Sequence, residues 1–403
     1  MKYIDVDKLI LEKEVFSRTE IENRMATGGF NSLAKFELFV WDLEMFLQLQ
    51  KKLGEKIILK GGAATQFYIP IGSQRTSIDI DMICLAKPDE VHAAISQIEN
   101  EFNGDGEYGK FTLYKPISPK LGLNALETYY AVVPSVCEER ELFATKGKQQ
   151  VKIEFLFSNE EYAVQKIKQP ELFALETEKE FNILALNNLF ADKLTTLGPN
   201  TIGISEERGD EQLKQVYDVI TLFTSNMDQI INDKEVIRRN YSKVAKMECK
   251  IHNMEYNQEI LFEDMIVFIY RIKNIENDSD LMQRANDFQS LYLRRVVNRD
   301  KGEWAIVGHQ LELLANYIFN EDTKILQFRK IEELINKLKF DDIKGPEKGR
   351  LNKKLRKMLE EKFSRVEGLT LNLFKKRIDR IMWELASFVT YDELRNSVQE
   401  MTQ

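Results

Sequence analysis

The sequence predicts an α/β domain followed by an all-helical one. Three observations predict it. Runs rich in β-branched and aromatic residues crowd the first half of the 403-residue chain. Beyond about residue 180 apolar residues recur at helical spacing almost to Gln403. Seven of the eight prolines stand at or before Pro199, and only Pro346 follows. The expected boundary is near Ser225, giving domains of residues 1–224 and 225–403.

The stretch "LAKFELFVWDLEMFLQLQKKLG" (33–54) is apolar at helical spacing and ends on Lys-Lys-Leu-Gly, a C-terminal stop. Its aromatics Phe36, Phe39, Trp41 and Phe46 read as core. Five strands are expected: "KIILKGG" (56–62), "SIDIDMICL" (77–85), "KFTLYK" (110–115), "ETYYAVVPSV" (127–136) and "VKIEFLF" (151–157). "FNILALNNLFADKLTTLG" and "EQLKQVYDVITLFTSN" then read as amphipathic helices. No fixed-period repeat is visible.

Composition narrows the chemistry. Apolar residues at 43% support a core, and 30% charged residues without low-complexity tracts argue against disorder. A net charge of −8 leaves nucleic-acid binding to a local patch. Cys84, Cys137 and Cys249 are an odd, sparse set that fits a reducing cytosol. They and His92, His252 and His309 are too scattered for a zinc site or a serine–histidine triad, so chemistry is expected to run on carboxylates. The charged N-terminus "MKYIDVDKLILEKE" is no signal peptide, and no apolar run approaches the ~18–20 residues of a membrane span. A cytoplasmic protein is expected.

The informative stretch is "LKGGAATQFYIPIGSQRTSIDIDMICL" (59–85). On a strand, residues i and i+2 share a face, so Asp79 and Asp81 point together while Ile78, Ile80 and Met82 point into a core. Roughly 6–7 Å apart, the two carboxylates repel by about 3 kcal/mol at an effective dielectric near 20. A bound cation would relieve that, and oxygen-only ligands suit magnesium or manganese. Gly61-Gly62, between a strand and a helix-like run, lets backbone N–H groups approach a phosphate. Alone, an Asp-x-Asp is more often a solvated strand edge and a Gly-Gly more often a turn. Their order gives the pair its weight.

These residues resemble the first motif of the AbiEii-type nucleotidyltransferases, which include toxins of type IV toxin–antitoxin systems. That family belongs to the DNA polymerase β-like nucleotidyltransferase superfamily. Its pattern of Lys-Gly-Gly, short helix, Arg and Asp-hydrophobic-Asp is matched by Lys60, Gly61, Gly62, Arg75, Asp79 and Asp81. The loop "IPIGSQ" (69–74) lengthens the insert and is expected to alter the pocket rim. "VKIEFLF" resembles the strand with the third carboxylate, Glu154. "LFADKLTTLG" resembles the helix with a phosphate-directed lysine, Lys193. "KQVYDVITL" resembles the last motif, with Tyr217 and Asp218. Taken singly, Glu154 reads equally as an edge-strand acid, Lys193 as solvated, and Tyr217 as core.

The resemblance implies a nucleotidyltransferase core with a mixed sheet, and a nucleoside triphosphate bound over Gly61 and Gly62. It implies divalent cations, Mg2+ or Mn2+, on Asp79 and Asp81 with Glu154 assisting and serving as base. Lys193 would offset phosphate charge and Arg75 the growing negative charge. Asp218 would either orient Lys193 or touch the nucleotide. The acceptor in the family includes RNA such as the tRNA 3′ end, in toxin–antitoxin or phage-defence systems, and a cognate antitoxin is an implied partner. Residues 344–380 add local support, with 13 Lys/Arg against 5 Asp/Glu. "LNKKLRKMLEE" puts Leu351, Leu355, Met358 and Leu359 on one stripe and Lys353, Lys354, Arg356 and Lys357 mostly off it. Such a face recruits phosphate backbones or is simply solvated. "VIRRNYSKVAKMECK" (236–250) is a second, weaker basic run. A protein or small-molecule acceptor, or a catalytically silent binding module of the same fold, are the competing readings.

Overall fold

The computed structural model describes residues 6–103, 109–114, 126–135, 148–338 and 345–402. Cys137, Lys344 and the last residues of two expected strands, Lys115 and Val136, lie outside them. The chain divides into two compact units: Met1–Gln258 with Arg284–Asn298, and Glu259–Gln283 with Arg299–Gln403.

The first unit opens with helices α1 (Arg18–Gly28) and α2 (Leu33–Leu53). The Ser32 side chain accepts from the Lys35 N–H, capping α2, and Gly54 ends it at φ +62°. Phe36, Phe39, Trp41 and Phe46 are fully buried, as expected of core. There follow β1 (Ile57–Lys60), α3 (Gly61–Thr65), β2 (Asp79–Cys84), α4 (Pro88–Asn103), β3 (Phe111–Leu113), β4 (Leu126–Pro134), β5 (Lys148–Phe157), β6 (Val164–Lys168) and β7 (Glu180–Leu184). Helices α5 (Leu186–Thr195), α6 (Gly209–Ser225), α7 (Met227–Asn232) and α8 (Lys234–Ile251) complete the run.

The strands form one mixed sheet in the order β3-β4-β5-β2-β1-β7-β6. At its centre β2 is parallel to β5 and antiparallel to β1, and β1 is parallel to β7. Ile80 and Met82 of β2, Ile153 and Phe155 of β5 and Leu59 of β1 join the α2 aromatics in the core. That leaves the alternate positions Asp79, Asp81 and Glu154 on the other face.

Strand β7 corrects an expectation. Residues 181–198 read as one helix, yet Glu180–Leu184 is a strand and the helix begins at Leu186. A strand covered on both faces reads as an unbroken apolar run, and "FNIL" is too short for periodicity to separate the two. The loop at 69–74 corrects another. The cavity that opens on the Asp79–Asp81 face takes no lining residue from it. Instead the buried Gln74 amide nitrogen lies 2.7–3.1 Å from the carbonyls of Gln66, Ile69 and Glu171, while its oxygen accepts from the Phe173 N–H at 2.9 Å.

The second unit is helical. It holds most of α9 (Gln258–Lys273), the start of α10 (Ser279–Tyr292), then α11 (Lys301–Asn320), α12 (Phe328–Leu338), α13 (Pro346–Phe363), α14 (Ile378–Ala386) and α15 (Tyr391–Thr402). Asp300 and Glu303 form a reciprocal capping box at the start of α11. On α13 the buried stripe is Leu355, Leu359 and Phe363, with Lys353, Lys354 and Lys357 exposed and Arg356 half-buried. No helix among the described residues is long and apolar enough to cross a membrane.

Gln74→Ala is expected to leave several buried backbone groups unpaired. The loss is about 2–3 kcal/mol, read as a lower midpoint in urea at unchanged m value.

Candidate active site

Strand β1 delivers Lys60, and the chain turns at once into α3. Gly61 makes that turn at φ +69°, and a Cβ there would lie 2.0 Å from Asp81 Oδ2. Glycine is thus needed both for the backbone angle and for the close approach of the carboxylate. A Cβ on Gly62 would stand 2.8 Å from the Arg75 guanidinium and 2.9 Å from Ser77 Oγ.

Strand register assembles the rest. Lys60 stands opposite Asp81, Asp81 opposite Glu154, and Glu154 opposite Thr128. One row therefore crosses four strands on a single face. The next row pairs Asp79 with Lys152. Lys152 Nζ lies 3.0 Å from Glu154 Oε1, which also accepts from the Thr128 hydroxyl at 3.3 Å. Lys60 Nζ donates to Asp192 at 2.9 Å.

The electrostatics follow from this crowding. Burial, then the Asp81 charge, pushes the Glu154 carboxyl above its ordinary range against the pull of Lys152. Burial also raises Asp79, with Lys152 opposing and Asp81 assisting. Burial works against the charged forms of Lys60 and Lys152, but Asp192 and Asp81 for the first, and Glu154 and Asp79 for the second, outweigh it and hold both above the usual lysine range. Asp42 on α2 is a further acid in this field. It is buried with neither oxygen hydrogen-bonded, and burial, then Asp79 and Asp81, keeps it well above the carboxylate range.

Beneath the cavity lies an ion cluster. Arg75 grips Asp218 through Nε at 2.7 Å and Nη2 at 2.6 Å and donates Nη1 to the Thr76 carbonyl at 2.8 Å. Lys193 Nζ sits 2.8 Å from Asp218 Oδ2 and 2.7 Å from Gln215 Oε1. Asp218 has no exposed surface. Burial would raise its pKa, but Arg75 and Lys193 hold it below the ordinary value. Of the two roles left open for Asp218, this geometry is that of an orienting group. Tyr217 is core, its hydroxyl donating to the Ser73 carbonyl at 2.8 Å.

Lys60, Gly61, Gly62, Arg75, Asp79, Asp81, Glu154 and Lys193 all line one cavity of about 860 Å³, and Asp218 lies outside its lining. The volume is within the range of small-molecule sites. Among the described residues no group of three His, Cys, Asp or Glu side chains is arranged to hold a metal ion. Lys152, Lys214, Asp192, Glu248 and the loop from Pro199 to Arg208 also line the cavity and went unread in the sequence. Two had a signal. Lys152 is two residues from Glu154 on a strand, and Lys214 is four from Asp218 on a helix.

The comparisons with known proteins bear on this cavity. A family model described as the nucleotidyl transferase AbiEii toxin of type IV toxin–antitoxin systems matches residues 46–294. That is more than half of the chain, and it contains every residue that lines the cavity. The chain belongs to this family. It is a nucleotidyltransferase with the toxin-family core. No curated protein matches it. Two solved structures are similar over most of their length. One, a candidate nucleotidyltransferase from H. pylori, is 15% identical with a TM-score of 0.35, over 72% of this chain and 98% of its own. The other, the nucleotidyltransferase toxin MenT4 from Mycobacterium tuberculosis H37Rv, is 13% identical with a TM-score of 0.40, over 75% of this chain and 97% of its own.

Asp218→Ala is expected to strand two buried cations. The loss is about 3–5 kcal/mol, a fall in Tm of roughly 10 °C. In the native protein the Asp218 contribution is complete above the ordinary carboxylate range and is lost as pH falls through its depressed folded value. The Tm gap between native and variant should therefore close in strong acid. Asp79→Asn has the opposite sign. The folded Asp79 carboxyl holds its proton more tightly than the unfolded one, so stability falls as pH rises through its raised value. In metal-free buffer the variant is expected to melt about 3 °C higher at pH 8, with the gain fading toward pH 4. Calorimetric scans across pH check both.

Proposed function

We propose that this nucleotidyltransferase moves a nucleoside monophosphate from a nucleoside triphosphate to an RNA hydroxyl, aided by a divalent cation on Asp79 and Asp81, with Glu154 beside them. The observation that carries the reading is the register that sets Asp81 between Lys60 and Glu154, against Gly61. The donor set is oxygen only, which suits magnesium or manganese. Magnesium is commonly held by one or two carboxylates and completed by substrate phosphates, so a ready-made cage of three acids is not required. When bound, such a cation lowers the pKa of the attacking hydroxyl and offsets charge on the leaving pyrophosphate.

The chain's own residues account for the rest. Gly61 lets the Asp81 carboxylate, and Gly62 the Arg75 guanidinium, sit against the backbone of the turn into α3. Lys193, held in place by Asp218, faces the phosphates with its charge fixed in advance. The acceptor oxygen attacks the α-phosphorus, its proton passes to Glu154, and the bond from phosphorus to pyrophosphate breaks. RNA is favoured as acceptor by the excess of Lys and Arg over residues 344–380 and by the exposed Lys353, Lys354 and Lys357. The tRNA 3′ end is the first acceptor to test, and toxicity with a cognate antitoxin is the biological setting that the family suggests.

The test incubates the full chain with each labelled triphosphate, magnesium and total RNA. Label is expected in RNA. Asp81→Ala should cut transfer by at least roughly 100-fold with Tm nearly unchanged. Retained transfer by the folded variant would overturn the site, and label in protein or small molecules alone would overturn the acceptor. Neutralising Lys353, Lys354 and Lys357 should lower the salt slope of RNA binding by roughly 0.7–0.9 per lost contact. An unchanged slope would make that face plain solvated surface.

A further inference from the structure

The helical unit has a cavity of its own, about 760 Å³, and most of its wall comes from residues beyond the family-matched stretch. Its floor holds His309 of α11, which is 1% exposed. Nδ1 of that ring has no hydrogen-bond partner, and Nε2 lies 3.4 Å from Glu384 of α14. Burial pulls the imidazole pKa below its usual value, against the pull of Glu384, and the ring nitrogens are groups that can donate or accept. A buried polar atom without a partner is costly, and a ligand reaching the cavity floor would supply one.

Most of the charges around it are paired with one another. Lys273 pairs with Glu312 at 2.8 Å, and Glu276 takes both Lys376 and Arg380, the latter at 2.8 Å. With Lys375, which bonds Asn372, the lining carries four cations against the three carboxylates Glu276, Glu312 and Glu384, a surplus that suits a phosphate beside a polar ring. The rim is different in kind. Tyr270 is 63% exposed and Phe388 38% exposed, unusual for rings that could be buried. Gly368, at φ +90°, lets the Phe388 ring lie where a Cβ would be 2.8 Å away, so the ring rests against the loop backbone.

An unpartnered imidazole nitrogen beside two partly exposed aromatic rings suits one ligand class above others: a planar heteroaromatic ring with polar edges. From this arrangement we infer that the cavity of the helical unit binds an unpaired nucleobase. Stacking on Tyr or Phe with edge hydrogen bonds is how proteins hold splayed bases, and any base has the π-face it needs. The base comes from a single-stranded RNA or from a free nucleotide, and the same chemistry serves both. The inference does not rest on the catalytic reading, because binding here and transfer at Asp81 are measured separately.

The test titrates the full chain with a fluorescein-labelled eight-nucleotide single-stranded RNA and, separately, with the four nucleoside monophosphates. Saturable binding is expected. Tyr270→Ala, a change at an exposed side chain, should weaken it about fivefold or more with Tm unchanged. Asp81→Ala should leave it intact. As a second readout, 4-thiouridine in the oligonucleotide is expected to cross-link to peptides from residues 270–277 or 368–388. Tighter binding of the oligonucleotide than of any monophosphate identifies the strand as the source, and equal binding identifies the free nucleotide. Absence of saturable binding to either probe overturns the inference. So does undiminished affinity in Tyr270→Ala, and so do cross-links confined to other segments.

Discussion

The cavity of the first unit depends on one buried ion cluster. Asp218 comes from α6, Lys193 from α5, and Arg75 from the segment that leads into β2. A carboxylate without exposure is tolerable in a low-dielectric interior only while its cations stay in place. The three segments are therefore fixed against one another by electrostatics as well as by packing. Arg75 extends the constraint through the Thr76 carbonyl, and the Thr76 N–H donates to the Tyr292 carbonyl at 3.1 Å. The entry into β2, and with it the place of Asp79 and Asp81, is set by this cluster.

Above it the sheet face is a balance of opposing charges. The repulsion between Asp79 and Asp81, read from the sequence as calling for a cation, is partly met by the chain itself. Lys152 stands in register with Asp79 and bonds Glu154. Lys60 bonds Asp192 and faces Asp81. Any cation arriving at Glu154 must compete with the Lys152 ammonium for the same oxygen. The face is thus poised between two charge partners for its acids, one built in and one brought by the ligand.

How far the sequence disclosed this depended on periodicity. Asp79 and Asp81 were legible because a strand alternates faces, and Ile80 and Met82 fixed which face was core. The long helix over residues 33–54 was legible from its caps and spacing. The fully covered strand at Glu180–Leu184 was not, because a central strand beside β1 loses the alternation that marks an edge one. Gln74 looked like part of a pocket-rim loop and proved to be an internal clamp, since no local pattern announces a partner almost 100 residues away in the chain. Asp218 was found by resemblance, but its complete burial belongs to tertiary packing alone. The same holds for the cavity around His309, whose parts come from four separate segments.

The span between Arg75 and Asp218, 143 residues, has a consequence for synthesis. At translation rates of about 5–20 residues per second, the arginine emerges roughly 7–30 s before the carboxylate that neutralises it. Through that interval the guanidinium has no Asp218 to join it in the interior, so this part of the nascent chain must stay open to water. The strands that carry Asp79, Asp81 and Glu154 have all been made by then, but the cluster that orders them has not. An enzyme of a toxin family thus acquires its assembled carboxylate face only once α6 has emerged, a little past the midpoint of its own translation.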